Sequence, residues 1–381
     1  MQIYLARLVR VSFALALLLS SYVQAAPLPA PPQLSANSFL LVDNISGKVL
    51  AEKNPDERIE PASLTKLMTA YLVASEIKQG TVNESDLAIV SDYAQSMPGS
   101  RMFIEAGKTV SIADLLRGLI IQSGNDASVA LAEHVAASEQ GFVQMMNRMA
   151  TTLGMTSTNF MNASGLPDSD HYTTARDLSI IARAMIQDFP EHYKLYSQRS
   201  FKYNNIDQNN RNKLLWRDDS IDGMKTGHTE AAGYCLVASA VRDDMRLTSI
   251  VLGTASDKTR LAETQRLLNY GFRFFQTKRI YEAGEVVSSA KIWMGESEEI
   301  LLGVEEDLYV TLPRDAFDTL SSQIELSTYI KAPARIGQEF GRSVLTADNQ
   351  VIGEVPLLAL QKVEEGGILR RMKHSVLRYF Q

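Results

Sequence analysis

The stretch Pro61-Ala62-Ser63-Leu64-Thr65-Lys66-Leu67-Met68-Thr69-Ala70 carries the pattern from which the fold and chemistry of this chain are inferred. From Leu64 onward, apolar residues recur at three- and four-residue spacing, which predicts a mostly buried helix. Proline is favoured in a first helical turn, where its missing N–H costs no hydrogen bond, so Pro61 indicates the helix start. Residues three positions apart share a helix face, and the Lys66 amine is therefore expected beside the Ser63 hydroxyl.

A serine beside an amine becomes an activated nucleophile when burial or a second cation keeps that amine neutral. The alternative for Ser63-x-x-Lys66 is structural, with the serine as a helix cap and the lysine in solvent. Four-residue patterns of this kind recur by chance, so the choice depends on the rest of the chain.

The composition is typical of a globular protein with room for two domains. The chain has 381 residues, of which 45% are hydrophobic and 22% charged, as is usual in folded domains. Its net charge of −6 argues against nucleic acid as the main partner. Cys235 is the only cysteine, so no intrachain disulfide can form. It lies in an apolar, strand-like run, and we expect a buried core residue there rather than a catalytic one.

The first 25 residues have the pattern of a secretory signal peptide. Arg7 and Arg10 supply the positive region, and the apolar run at residues 11–19 is too short to span a membrane. Val23-Gln24-Ala25 offers a small-residue cleavage site, an uncleaved anchor being the alternative. Loss of the two arginines takes the net charge from −6 to −8. We expect the proline-rich residues 26–36 to form an extended leader.

The last residues, 362–381, have the pattern of a basic amphipathic helix. The apolar residues that map to one helical face are Ile368, Leu369, Met372, Val376, Tyr379 and Phe380. A terminal helix of this kind is typical of a segment that lies in a membrane interface, where anionic lipid contributes about 1 kcal/mol per basic residue. The alternative is a helix packed on the protein's own surface.

The residues after the leader predict strands and helices in one domain. Residues 38–52 predict a β-hairpin, and the helix with Ser63 follows. Residues 91–107 have no regular pattern, and residues 110–122 predict an apolar helix. That helix ends at Ser123-Gly124-Asn125-Asp126, where Asn125 or Asp126 is expected to cap the next helix. Ser123 and Asn125 would then present a hydroxyl and an amide to a cleft, the alternative being a simple interhelical turn.

Strands and a closing helix are predicted for the second half of this domain. Residues 233–240 and 245–253 are strong strand candidates, and residues 259–275 predict a helix. Lys225-Thr226-Gly227 lies on a strand that leads into this hairpin, where glycine allows close approach of another backbone or a ligand. The polar loop at residues 162–174 has a length typical of loops that line a site or are disordered.

Three motifs therefore stand in chain order: Ser63-x-x-Lys66, Ser123-Gly124-Asn125 and Lys225-Thr226-Gly227. In a secreted chain of this length, the set resembles the low-molecular-mass penicillin-binding proteins. The likeness is greatest to the D-alanyl-D-alanine carboxypeptidases of the penicillin-binding protein 5/6 group, because Lys225-Thr-Gly-His-Thr229 has that group's form. Gly124 departs from the aspartate of class A β-lactamases but is ordinary in the carboxypeptidases. The likeness covers essentially the whole mature chain.

The resemblance implies an α+β catalytic domain of the penicillin-binding/β-lactamase-like fold, with an antiparallel sheet and helices, over residues 37–277. It implies a small all-β sandwich domain over residues 280–361, where the sequence has a period-two pattern, and then the amphipathic helix. The second domain is expected to be a spacer or a partner-binding module. The implied location is the periplasmic side of the bacterial inner membrane, as a peripheral protein.

The resemblance also implies acyl transfer. Ser63 would attack the carbonyl between the two D-alanines of peptidoglycan pentapeptide, Lys66 would accept its proton, and Ser123 would relay a proton to the departing D-alanine. Lys225 would lower the pKa of Lys66 by like-charge repulsion. No metal or other cofactor is expected, and β-lactam antibiotics are expected to be covalent inhibitors.

The remaining roles concern substrate binding. The residues implied are Asn125, Lys225, Thr226, Gly227, His228, Arg211 and Arg260. Asn125 would hold the amide, and Lys225, Thr226 and Arg211 the terminal carboxylate. The backbone N–H groups of Ser63 and His228 would form an oxyanion hole, worth about 3–4 kcal/mol per donor. For the two arginines a solvated ion pair is the alternative.

His171 and Asp177 flank the polar loop and are expected to have structural rather than catalytic hydrogen bonds.

Two other functions compete with the carboxypeptidase. A β-lactamase would share the acylation chemistry, but its fast deacylation uses a glutamate, and no glutamate occurs between Glu139 and Glu191. A binding protein that keeps the fold without the activity is the other alternative, and the intact motifs argue against it.

Overall fold

The computed structural model describes residues 28–378, so the predicted signal peptide lies outside the described residues. The strands are β1 (Ser38–Asp43), β2 (Val49–Lys53), β3 (Leu87–Ile89), β4 (Thr109–Ser111), β5 (Ser200–Tyr203), β6 (Ile206–Asn209), β7 (Ile221–Thr229), β8 (Gly233–Arg242), β9 (Met245–Thr254), β10 (Phe275–Tyr281), β11 (Val286–Lys291), β12 (Glu299–Gly303), β13 (Leu308–Pro313), β14 (Ser321–Leu326), β15 (Glu339–Ala347) and β16 (Gln350–Ala359). The α-helices are α1 (Lys66–Gln79), α2 (Asp92–Ser96), α3 (Ile112–Arg117), α4 (Asn125–Ala136), α5 (Glu139–Leu153), α6 (Ala175–Asp188), α7 (Pro190–Tyr193), α8 (Asp257–Phe274) and α9 (Ile368–Arg378).

A five-stranded antiparallel sheet with the order β2-β1-β9-β8-β7 organises the first domain. Successive strand residues point to opposite faces, and in β1 Leu40 joins one hydrophobic core while Leu41 joins the other. The first core also contains residues of α1 and α4 to α6, whereas the second contains Leu261 and Leu267 of α8. Helices therefore cover both faces, and the predicted α+β class and β1–β2 hairpin are confirmed.

Strand β7 lies at the edge of this sheet, beside the turn that carries Ser63. A Cβ on Gly227 would come within 3.1 Å of Leu64 Cγ, 3.2 Å of the Pro61 oxygen and 3.3 Å of Ala62 Cβ. The close approach predicted at this glycine is thus confirmed. It brings the third motif against the first.

Three local predictions are wrong in detail. The helix predicted at residues 110–122 divides into α3 and a π-helical turn, and residues 91–107 contain the short helix α2. Neither Asn125 nor Asp126 caps α4, because Gly124 holds the N-cap position without a side-chain bond. The Asp126 carboxylate instead accepts hydrogen bonds from the backbone of the preceding loop.

The second domain is all-β, as predicted. Its five-stranded sheet has the order β11-β12-β16-β15-β14, and β10 pairs with β13 in a separate ribbon. The predicted boundary at residues 277–280 falls within β10. A buried hydrogen bond joins this ribbon to the first domain, since Thr277 Oγ1 donates to Asp43 Oδ2 at 2.8 Å.

Helix α9 follows the second domain and exposes apolar side chains. Those at least 60% exposed are Ile368, Leu369, Met372 and Val376. His374, by contrast, is 7% exposed, and its Nδ1 accepts the Met294 N–H at 2.8 Å. The helix is therefore bound to its own domain through His374 while an apolar stripe stays uncovered. Within residues 28–378, no helix has both the length and the apolar character needed to cross a bilayer.

Candidate active site

The Ser63 turn is a short 3₁₀ helix, Ala62–Thr65, that runs directly into α1. Ala62 adopts φ +48°, in the left-handed region that non-glycine residues rarely occupy. Gly165 packs on the turn so closely that a Cβ there would lie 1.8 Å from the Ala62 oxygen. Ser63 is half-buried at this turn. The fold thus presents its hydroxyl from a tightly constrained backbone.

Lys66 is 1% exposed, and its amine contacts three oxygens. Nζ lies 3.0 Å from Ser63 Oγ, 2.7 Å from Asn125 Oδ1 and 2.5 Å from the Ser164 carbonyl oxygen. The amide and carbonyl oxygens only accept hydrogen bonds. Of the three oxygens, only the Ser63 hydroxyl also carries a proton that a neutral amine could accept. The predicted proximity of the two side chains is confirmed.

Burial lowers the pKa of Lys66 from 10.5 to about 7, while the negative charge of Asp126 opposes this shift. Of the two causes expected from the sequence, burial and repulsion from Lys225, burial is the main one. Lys225 is also 1% exposed, and burial lowers its pKa well below 10.5, with repulsion from Lys66 second. Each amine is thus buried, and desolvation favours the neutral form of both.

Ser123 and Lys225 form the second half of the site. Ser123 lies at the turn between α3 and α4 with φ +66°, and its hydroxyl accepts a hydrogen bond from Lys225 Nζ at 2.8 Å. The same amine donates to the Thr226 carbonyl oxygen at 3.1 Å. Because Ser123 Oγ accepts from the lysine, its own proton is free to point into the cleft. The Ser123 turn is thus more than a connection between helices.

The rest of the third motif lies along β7. Thr226 and Gly227 are buried in the strand, whereas His228 is exposed and its ring lies 4.1 Å from that of Tyr234. Asn125 completes the opposite wall, where its Nδ2 donates to the Pro98 oxygen at 2.6 Å. The structure thus brings Ser63, Lys66 and the Ser123 turn together along one strand edge.

The two arginines have different environments. Arg211 is exposed and makes no ion pair among residues 28–378, where its side chain donates to the Gln122 oxygen at 3.4 Å and its backbone N–H to the Ile121 oxygen at 3.3 Å. Arg260 is 7% exposed and donates to the oxygens of Gly227, at 3.1 Å, and Cys235, at 3.3 Å. It also pairs with Asp257 at 2.6 Å. Arg260 is therefore a buried guanidinium that bonds strands β7 and β8 through Gly227 and Cys235, and its ion-pair partner Asp257 is partly exposed.

A cavity of about 530 Å³ opens beside Gln122 and is lined by both Arg211 and Arg260. Phe103 and Tyr234 provide its aromatic walls. Gln122, which precedes Ser123 in the chain, belongs to its lining, and Arg211 is the one cation in that lining that has no ion pair in the described part of the chain.

His171 and Asp177 have structural hydrogen bonds. His171 Nε2 lies 3.0 Å from Thr65 Oγ1, and burial lowers the pKa of this imidazole to about 4. Asp177 accepts from the Ser157 N–H at 2.9 Å and from Thr158 Oγ1 at 2.7 Å. The first residue supports the Ser63 turn from behind, and the second anchors the start of α6. The predicted structural roles agree with these contacts.

Sequence reasoning missed two contributors. Asp126 is 1% exposed and accepts backbone N–H groups from Met102, at 2.9 Å, and Phe103, at 2.8 Å, which anchors the loop that bonds Asn125. Its position directly after the second motif was the available signal. The Ser164 carbonyl oxygen that bonds Lys66 could not be found this way, because a backbone group leaves no mark in the residue type.

Comparison with known proteins gives a consistent result. Residues 25–256 match the family model described as D-alanyl-D-alanine carboxypeptidase, and residues 275–365 match that of the penicillin-binding protein 5 C-terminal domain. The chain is 41% identical to the D-alanyl-D-alanine carboxypeptidase DacC of Escherichia coli over 357 residues, 92% of this chain and 89% of the relative.

Solved structures agree. Penicillin-binding protein 5 from Haemophilus influenzae superposes with a TM-score of 0.85 at 40% identity, covering 88% of this chain and 100% of that one. Penicillin-binding protein D2 from Listeria monocytogenes, in an ampicillin-bound form, has a TM-score of 0.57 at 30% identity and covers 64% of this chain and 100% of its own.

Proposed function

Because this chain belongs to the D-alanyl-D-alanine carboxypeptidase family and is a serine-type D-Ala-D-Ala carboxypeptidase, we propose that Ser63 carries its acyl-enzyme. The observation that supports this most directly is the Lys66 amine. It lies 3.0 Å from Ser63 Oγ, and its other two contacts are carbonyl-type oxygens that only accept, so Ser63 is the contact from which a neutral amine can take a proton. Burial also lowers its pKa to about 7, so a large fraction of the amine is neutral at physiological pH.

In the acylation step, Ser63 Oγ bonds to the carbonyl carbon between the two D-alanines, and its proton passes to Lys66 Nζ. The developing oxyanion is stabilised by the backbone N–H groups of Ser63 and His228, each worth about 3–4 kcal/mol. Collapse of this intermediate breaks the C–N bond. Ser123 Oγ, held by Lys225, then relays the proton: it gives its own to the departing amine and takes the one that Lys66 accepted from Ser63. Water attacks the ester in the second half-reaction, and Ser63 regains its proton.

Substrate binding follows from the charges that line the cleft. The leaving D-alanine carries a carboxylate, which Arg211 and Lys225 would hold together with the Thr226 hydroxyl. Asn125 has its amide between Lys66 and Pro98 and would bind the peptide amide. Arg260 would act on the same carboxylate through its charge and through Gly227, since its Nη1 donates to backbone oxygens and its Nη2 to the Asp257 carboxylate. The natural substrate in this proposal is peptidoglycan pentapeptide, with a role in cell-wall maturation and cell shape.

The same nucleophile would be acylated by penicillin, and the penicilloyl ester would persist. Fast deacylation in class A β-lactamases uses a glutamate, and here no glutamate occurs between Glu139 and Glu191. Glu139 itself accepts hydrogen bonds from the Ala163 N–H, at 2.9 Å, and from Tyr93, at 2.8 Å, so it holds the loop behind Lys66.

The location proposed is the periplasmic face of the inner membrane. Export would follow from the signal peptide at residues 1–25, and attachment to anionic lipid from α9. In support, Leu369 is 85% and Ile368 69% exposed, while His374 fixes the opposite side of the helix to the second domain. Flotation with phosphatidylglycerol vesicles tests this. We expect the chain with α9 to bind the vesicles and a variant truncated after residue 367 not to bind them. Equal vesicle binding by the two would refute attachment through α9.

The main experiment is intact mass after incubation with benzylpenicillin, for the signal-free chain and for Ser63→Ala. We expect a single persistent penicilloyl adduct in the first and none in the second, together with hydrolysis of a D-Ala-D-Ala peptide by the first alone. No adduct with rapid penicillin consumption would indicate a β-lactamase. Absence of both adduct and turnover would mean that the chain keeps the fold as a binding protein.

A further inference from the structure

Glu60 and Thr229 join two segments that meet at the mouth of the cleft. Glu60 directly precedes Pro61, where the Ser63 turn begins, and Thr229 is the last residue of β7. Thr229 Oγ1 donates to Glu60 Oε2 at 2.8 Å and accepts the Ala232 N–H at 2.9 Å. Because the N–H occupies one side of the hydroxyl oxygen, the hydroxyl proton is directed at the carboxylate.

Glu60 has a rigid support on its other side. The neighbouring Ile59 exchanges two backbone hydrogen bonds with Thr173, both of 2.9 Å. The Glu60 carboxylate is half-buried, and within residues 28–378 it accepts no hydrogen bond besides the one from Thr229. The side chain therefore connects a fixed backbone to the end of β7.

The end of β7 needs such a connection because this strand is at the sheet edge. On its open side it faces the Ser63 turn, where Gly227 already lies in close contact. Lys225 fixes the strand to Ser123 at one end of the motif. At the other end, the Glu60–Thr229 bond is the side-chain link between β7 and the Ser63 turn.

We propose that Glu60 is a positioning residue of the reaction, which through Thr229 sets the separation of the Ser63 and His228 backbone N–H groups. The inference rests on the proposed function, in which these two groups bind the oxyanion. Ser63 follows Glu60 by three residues, and His228 precedes Thr229 by one. Loss of the link lets the end of β7 move away from the turn. Small displacements of this kind cost up to about 100-fold in rate.

The test measures acylation by benzylpenicillin under single-turnover conditions, with rate and binding constants separated. Glu60→Ala and Thr229→Val are each expected to lower the acylation rate constant by about 10- to 100-fold, with less than about a threefold change in the binding constant. The double variant should be no slower than the slower single one. Glu60→Gln and Thr229→Ser keep the bonding atoms and should retain most of the rate.

A matched control comes from the second domain, where Thr319 Oγ1 donates to Asp348 Oδ1, also at 2.8 Å. Thr319→Val should leave acylation unchanged. Additive losses in the double variant, a Glu60→Gln as slow as Glu60→Ala, or losses confined to the binding constant would each overturn the proposal. A melting temperature for every variant separates misfolding from misalignment. The proposed function fails on a different result, namely an adduct that survives Ser63→Ala.

Discussion

The cleft of the first domain and the surface of the second hold cations in opposite environments. Lys66 and Lys225 are each 1% exposed, and their described contacts are all with neutral oxygens. Arg342 of the second domain is half-exposed and lies 2.8 Å from both Glu325 and Glu354. A buried amine with no carboxylate partner loses part of its affinity for a proton, whereas a surface ion pair keeps its charges. The lowered pKa of the Lys66 amine thus results from the loss of water and the lack of a contacting carboxylate in the cleft.

The largest effect should come from removing the buried amine. Lys66→Met is expected to lower the acylation rate by about 10²- to 10⁴-fold, since a general base contributes on that scale. Stopped-flow acylation by penicillin measures it. Arg342→Met is the control and should acylate at the wild-type rate. Activity of Lys66→Met within tenfold of wild type would show that another group is the base.

The pH dependence sharpens the same comparison. Burial lowers the pKa of Lys66 to about 7, and with Lys66 as the proposed base the acylation efficiency should fall about tenfold per pH unit below 7 and level off above it. The folded pKa lies below the unfolded value of 10.5, so between pH 7 and 10.5 the unfolded chain binds more protons. The free energy of unfolding should therefore rise with pH across that window. Urea denaturation of wild type and Lys66→Met isolates this contribution, and a flat difference between them would contradict it.

Asp126→Asn should have an intermediate effect. The carboxylate accepts several backbone N–H groups and also raises the pKa of Lys66 against the effect of burial. We expect a loss of about 1–3 kcal/mol in stability and an acid limb of the pH profile that moves to lower pH. Chemical denaturation and the acylation profile measure the two. An acid limb that stays at the same pH or moves to higher pH would show that the Asp126 charge does not raise the pKa of Lys66.

The smallest effect is expected at the surface of the second domain. Arg342→Gln removes two exposed ion pairs, and such pairs contribute less than about 1 kcal/mol each. The melting temperature should change by a few degrees at most, and carboxypeptidase activity not at all. Any loss of activity here would mean that the second domain influences the cleft.

The three motifs and most elements of the first domain were predictable because they depend on local patterns. Ser63 and Lys66 share a helix face at a spacing of three, and the hairpin and closing helix follow from periodicity. The exceptions are local structures that distant packing decides. The π-helical turn at Gly118–Gln122 faces Met102, and the Asp126 side chain bonds a loop more than 20 residues earlier in the chain.

By itself, the sequence determined the candidate reacting groups, their order and the family to which the chain belongs, because residue identity and short spacing can be read without the fold. Only the tertiary structure decided that the Lys66 amine is buried, that it contacts Ser63, and that Arg260 bonds the Gly227 oxygen while Arg211 is exposed. These properties depend on groups far apart in the chain and on backbone oxygens such as that of Ser164. Desolvation and orientation arise when such groups are brought together, and no single residue type encodes them.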